Sequence, residues 1–140
     1  MTVNLRTGAY KYIESILKSY EDYEKQIKLR ELEILTPHTG KDENIGGGRS
    51  SLKSDPTART ANKLIQDRKL QTLKDEYQAV QKALGESDAI TTRIISIWYF
   101  KKPRLITWDG VANKLHLSRS QCIRKRNAFI LMVADELGIE

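Results

Sequence analysis

The chain has 140 residues, which leaves room for one compact domain or two very small ones and excludes a large multidomain enzyme. With 39% hydrophobic residues, 30% charged residues, 8 Gly and 3 Pro, it reads as a soluble and mostly helical chain. The net charge of +6 is uneven: residues 98–127 hold 8 basic side chains against 1 acidic, whereas residues 1–36 balance 6 against 6, residues 37–97 hold 10 against 8, and residues 128–140 carry 3 acids alone. So local a basic window is the electrostatic footprint of nucleic-acid contact, or else a solvated face. The longest apolar run, Phe129 to Ala134, falls far short of the roughly 20 residues of a membrane span, and the first ten residues have no apolar signal core. A cytoplasmic protein with no membrane partner is expected. One cysteine, Cys122, and two distant histidines offer neither an intrachain disulfide nor a zinc site, so no metal or cofactor is expected.

From Tyr12 to Leu35 apolar residues recur at Ile13, Ile16, Tyr20, Tyr23, Ile27 and Ile34, with Arg30 where another is due. This predicts a long amphipathic helix flanked by interleaved Lys and Glu, with Thr7 as its cap. Pro37 ends it. Residues 38–55 have no apolar periodicity and contain Gly46, Gly47 and Gly48, which predicts a mobile connector. A phosphate-binding loop would need a following Lys-Ser or Lys-Thr and a preceding strand, and both are missing.

Asp55-Pro56 is a helix-start signal. The next helix carries Leu64, Leu70, Leu73, Tyr77, Val80 and Leu84 close to a 3.5-residue repeat, with Gly85 as its stop. The two long helices pair with each other as a hairpin or between chains, and the sequence does not choose. Ile90 to Phe100 has strand-like composition, but a lone strand would lack a partner; Ser87-Asp88 supplies a cap, and Ile90, Ile94, Ile97 and Trp98 share a helical face.

After Lys101-Lys102-Pro103-Arg104 comes a helix-turn-helix pattern. Thr107 caps a short helix with Val111, Ala112 and Leu115 inward, His116 occupies the turn, Leu117 plugs it from beneath, and Ser118 caps a second helix whose inward stripe is Cys122, Phe129, Ile130, Val133 and Leu137. At about 100° per residue, Ser120, Gln121 and Arg124 lie opposite that stripe, with Asn127 and Ala128 one turn on. Arginine and glutamine suit guanine and adenine edges in the major groove, so these three are the candidate base readers. Lys101, Lys102, Arg104, Lys114, Ser118, Arg119 and Lys125 are the candidate phosphate contacts around them. Arg126 falls nearer the buried side and is expected to snorkel.

The expected fold is all-α: two long N-terminal helices joined by a glycine-containing loop, then a C-terminal three-helix unit with the helix-turn-helix. The expected domains are an interaction region at 1–85, containing the loop 37–55, and a DNA-binding domain at 86–140.

The segments YEDYEKQI, LRELEILTP, NIGGGRSS with DPTARTANKL, YFKKP, TWDGVANKLHLSRS and VADELG, in this order, resemble the RinA-type family of phage transcriptional activators over nearly the whole chain. The C-terminal part is also similar to the helix-turn-helix of region four of bacterial sigma factors, where glycine is usual at the turn position held here by His116. The resemblance implies a DNA-binding activator of late or packaging genes in temperate phages of Gram-positive bacteria, working in the host cytoplasm, with residues 118–126 opening the recognition helix. Double-stranded DNA is the expected partner, with host RNA polymerase and a second copy of the chain as further candidates. Two other readings compete: a small terminase-like packaging protein, and a helical adaptor without DNA specificity. No Ser/His/Asp set, paired histidines or metal-ligand spacing supports an enzyme.

Overall fold

A computed structural model describes residues 5–36 and 56–140. The expected connector 37–55, with Asp55 and the three glycines, lies outside the described residues. Every regular element in them is helical, as the sequence predicts. The elements are α1 (Thr7–Ser19), a 3₁₀ turn (Tyr20–Asp22), α2 (Tyr23–Leu35), α3 (Pro56–Gln66), α4 (Arg68–Glu86), α5 (Ala89–Ile95), which runs on as a π-helical turn (Ser96–Phe100), α6 (Trp108–Leu115) and α7 (Arg119–Leu137). No helix among the described residues is long and apolar enough to cross a membrane.

By contacts the chain forms two compact units, one from the described residues of Met1–Tyr23 with Asp75–Glu140, the other from those of Glu24–Lys74. This grouping differs from the division at 85/86 expected from the sequence, and the reason lies in α1. Its Ile13, Ile16 and Leu17 are buried, and the helix packs on α7 and on the π-helical turn. The Tyr20 ring stacks against Tyr77 at 5.3 Å and Phe100 at 5.0 Å. Tyr23 Oη donates to the buried Glu76 carboxylate at 2.7 Å, and burial raises the pKa of both groups. Composition hides such contacts because they join residues more than fifty positions apart.

Several local expectations meet the structure differently. The first long helix is interrupted at Tyr20–Asp22, where Tyr20 engages its two aromatic partners. Thr7 is the first helical residue rather than the cap; Arg6 stands at the cap position with no side-chain hydrogen bond. Gly85 lies inside α4, which ends one residue later. On α5 the buried residues are Thr91, Ile94 and Ile95, followed by Tyr99 on the π-helical turn, an ordinary helical stripe that lies to one side of the expected face: Ile90 is exposed, whereas Ile94 is buried and Ile97 and Trp98 are partly buried. Asp88 caps α5 as expected, accepting the Thr91 N–H at 2.7 Å. That bond, with the Lys125 ammonium nearby, holds its carboxyl below the usual aspartate range.

In the second unit α3 and α4 are separated at Asp67. Its carboxylate accepts the Leu70 N–H at 2.8 Å and the Arg30 guanidinium through Nε at 3.1 Å and a terminal nitrogen at 2.6 Å. Arg30 also reaches Glu33 at 3.0 Å, and Lys74 lies 3.5 Å from Glu31. The residue that interrupts the apolar series of α2 is thus the one that ties α2 to the start of α4.

Candidate nucleic-acid interface

Helices α6 and α7 meet through a short turn at His116 and Leu117. Thr107 Oγ1 accepts the Gly110 N–H at 3.1 Å and starts α6. Ser118 begins α7 with a reciprocal box: its Oγ accepts the Gln121 N–H at 3.1 Å, and Gln121 Oε1 accepts the Ser118 N–H at 2.9 Å. Between them His116 adopts φ 58° and ψ 43°, the left-handed geometry that favours glycine. Leu117 then donates its N–H to Ala112 O at 3.0 Å and packs beneath the turn. Val111, Ala112 and Cys122 meet Ile94 in the core of the motif, with Ile97, Trp98, Ile106, Trp108 and Leu115 around them. Burial raises the Cys122 thiol, which makes it a packing group. The inward stripe of α7 is buried at Cys122, Phe129, Ile130 and Val133, and partly at Leu137.

On the opposite side Ser120, Gln121 and Arg124 are all exposed. Gln121 is exposed yet engaged, since its carbonyl oxygen closes the box; while that bond holds, its side chain is oriented toward the cap, and its amide N–H groups and one oxygen lone pair are left for a base edge. The signal was present in the sequence as Ser118-x-x-Gln121. Ser118 likewise uses its hydroxyl oxygen for the cap. Arg119, Arg124, Lys114 and Lys101 are exposed and make no ion pair among the described residues. Lys102 approaches Asp22 at 3.8 Å, both groups being more than half exposed, and Lys125 approaches Asp88 at 3.4 Å. Arg104 lays its guanidinium 3.9 Å above the Trp98 ring, which stacks on Trp108 at 3.8 Å.

Arg126 does not snorkel. Its side chain is 14% exposed, and it lies 3.6 Å from Glu14, donates to Tyr99 Oη at 3.3 Å and to Asn127 Oδ1 at 2.8 Å, and faces the rings of Trp108 and Tyr10. Tyr99 Oη in turn donates to Glu14 at 2.6 Å, and Tyr10 Oη donates to Asn127 Oδ1 at 2.8 Å. Burial and the Glu14 carboxylate push the Tyr99 phenol far above its usual range. Asn127 is therefore turned toward α1 and does not extend the face of Ser120 and Arg124. Sequence reasoning missed this network because its members lie on α1, the π-helical turn and α7. A mostly buried arginine among aromatic rings anchors the opening turns of α7 to α1 and to the motif.

No group of histidine, cysteine and carboxylate side chains among the described residues is arranged to hold a metal ion. The arrangement is a capped helix presenting Arg119, Arg124 and Ser120, with Lys101 on the preceding connection and Lys114 on α6, all four cations without an ion pair among the described residues.

In the described residues α6, the turn at His116 and α7 make a helix-turn-helix unit. The chain belongs to the family described as "Protein of unknown function (DUF722)", which matches residues 10–135. It is similar to the transcriptional activator rinA of Staphylococcus phage phi11, with 25% identity over 134 residues that cover 96% of this chain and 94% of that protein. The similarity is the RinA-type one that the sequence motifs carry. No solved structure matches the chain.

Proposed function

We propose that this protein is a phage transcriptional activator that binds duplex DNA sequence-specifically and places the first turns of α7 in the major groove. The observation that carries the reading is the exposed face of Arg119, Ser120 and Arg124, unpaired on a helix whose cap, core and rear anchor are all satisfied. Protein cations without acidic partners can neutralise phosphates and so release the counterions condensed on the DNA, which supplies affinity. Arg124 can take guanine O6 and N7 together, and Ser120 adds a short donor and acceptor, which supplies discrimination. Lys101, Lys102, Arg104, Lys114, Arg119 and Lys125 fix register on the backbone, with the Ser118 end of α7 facing a phosphate. Lys125 would exchange or share Asp88 for a phosphate. The name of the Staphylococcus phage relative supports activation as the outcome, and an activator beside a promoter acts on the host RNA polymerase, in the host cytoplasm.

Self-association belongs to the same reading. On α2, Leu29 and Leu32 are 52% and 59% exposed, at the three-residue spacing of a coiled-coil seam. Lys28 and Glu33 flank them five residues apart, the offset at which parallel helices of two copies pair opposite charges. Such a dimer would present two recognition helices to two half-sites.

The test is a protection footprint over DNA flanking the gene for this protein and the packaging genes of the phage. Discrete protection upstream of those genes is expected. Uniform coating would favour a packaging role, and no protection at low salt would favour an adaptor.

A further inference from the structure

Leu105 is 90% exposed, the most exposed large hydrophobic side chain among the described residues. Its neighbours are both held. Arg104 stacks on Trp98, which is itself stacked on Trp108 at the start of α6. Ile106 packs on the core of the motif, so close to α6 that a Cβ on Gly110 would meet its Cγ1 at 2.7 Å. The leucine is therefore displayed by a braced backbone, and hydrophobic burial in the free protein gives no reason for its position.

Its surroundings on the connection are cationic: Lys101, Lys102 and Arg104 precede it within four residues. An apolar knob beside three cations matches a surface that is anionic at its rim and apolar within. A nucleic-acid groove has this character, with phosphates outside and deoxyribose carbons, base edges and thymine methyl groups between them. We infer that Leu105 makes an apolar contact inside a groove of the bound duplex, held in place by Arg104 on Trp98 and by Ile106. The contact rests on the DNA-binding reading proposed above and adds to it a residue that contributes affinity without charge. It also reassigns Arg104, whose guanidinium braces the knob through Trp98 as well as lying near phosphates.

An apolar contact displaces no counterions, so its loss lowers affinity by the same factor at every salt concentration, whereas loss of a lysine–phosphate contact flattens the salt dependence. The full-length chain, with Leu105→Ala, Leu105→Met and the double change Lys101→Ala with Lys102→Ala, would be titrated by fluorescence anisotropy against the duplex that the wild-type protein enriches from a random pool. Leu105→Ala is expected to bind roughly 3- to 10-fold more weakly with an unchanged salt slope. Leu105→Met should stay within about twofold of wild type, because methionine keeps the apolar volume. The double lysine variant should show the flattened slope. Since Leu105 is exposed, Leu105→Ala should melt as the wild type does. Binding by Leu105→Ala equal to wild type overturns the inference, and if that variant also lost activation in transcription, Leu105 would belong to a protein contact instead. Failure of the wild-type protein to enrich or bind any duplex would overturn the DNA reading itself, an outcome distinct from failure of the leucine contact.

Discussion

The unit that contains α5, α6 and α7 and the unit of residues 24–74 are built from similar helical sequence but held together by different means. Among the described residues, every buried hydrophobic side chain except Leu70 belongs to the first unit. The second relies on Arg30 with Asp67 and Glu33, on Lys74 with Glu31, and on half-buried Ile27, Ile34 and Leu64, while Leu29, Leu32, Leu35 and Ile65 stay exposed. These ion pairs are partly exposed and join few residues, whereas the first unit packs a continuous set of buried apolar side chains, so the second unit has the weaker intramolecular hold and leaves four large apolar side chains for a partner. The first unit buries most of its large apolar residues in its own core, with Tyr12, Ile90 and Leu105 as exposed exceptions, and leaves cations outside.

The contrast is broken most easily in the core. Phe129→Ala removes a fully buried ring and should cost about 3–5 kcal/mol, whereas Leu32→Ala in dilute protein should stay within about 0.5 kcal/mol, both read from urea unfolding followed by circular dichroism. Equal losses at the two positions would mean that α2 is as deeply packed as α7. Arg126→Met comes next: it leaves Glu14 without its cation in a mostly buried site and should cost about 2–4 kcal/mol. Adding Glu14→Gln should restore part of that loss, and strict additivity of the two changes would show that the pair is not coupled.

A smaller effect is expected at the turn. His116→Gly relieves a left-handed backbone and should gain up to about 1 kcal/mol, while His116→Val, β-branched at positive φ, should lose about 1–2 kcal/mol. Thermal melts of the two variants would settle the order, and a reversed order would contradict the turn geometry.

The smallest effect concerns the second unit. Hydrogen bonds from Arg30 and from the Leu70 N–H hold the Asp67 carboxyl below the usual aspartate range. A depressed folded-state value stabilises above the ordinary aspartate pKa of about 4 and is lost as pH falls through the depressed value. Helicity of the wild type should accordingly decline in that acidic window by a step that Asp67→Asn does not show. Superimposable acid titrations would remove Asp67 from the hold on this unit.

Much of the C-terminal motif was legible because its determinants are local. Thr107, Ser118 and Asp88 act as caps within three residues of their partners, and the period of Cys122, Phe129, Ile130 and Val133 marks the inward face without knowledge of what covers it. The breaks at Tyr20 and Asp67 were not legible, since each depends on a partner far along the chain: Tyr77 and Phe100 for one, Arg30 for the other. The same holds for Arg126, whose place on the wheel marks it as near the core but whose pairing with Glu14 spans more than a hundred residues. Gln121 was legible in two ways at once, as an exposed reader and as the fourth residue of a box. The structure shows its oxygen in the box.

The account depends most on α7 as the helix that reads bases, and Arg124→Ala tests this directly. The variant should remain folded, because Arg124 is exposed and unpaired. Titrated at several salt concentrations against the enriched duplex and against random duplex, it should lose about 1–3 kcal/mol of discrimination while its binding to random DNA changes only slightly. A specificity ratio equal to that of the wild type would contradict the assignment of α7 as the reading helix.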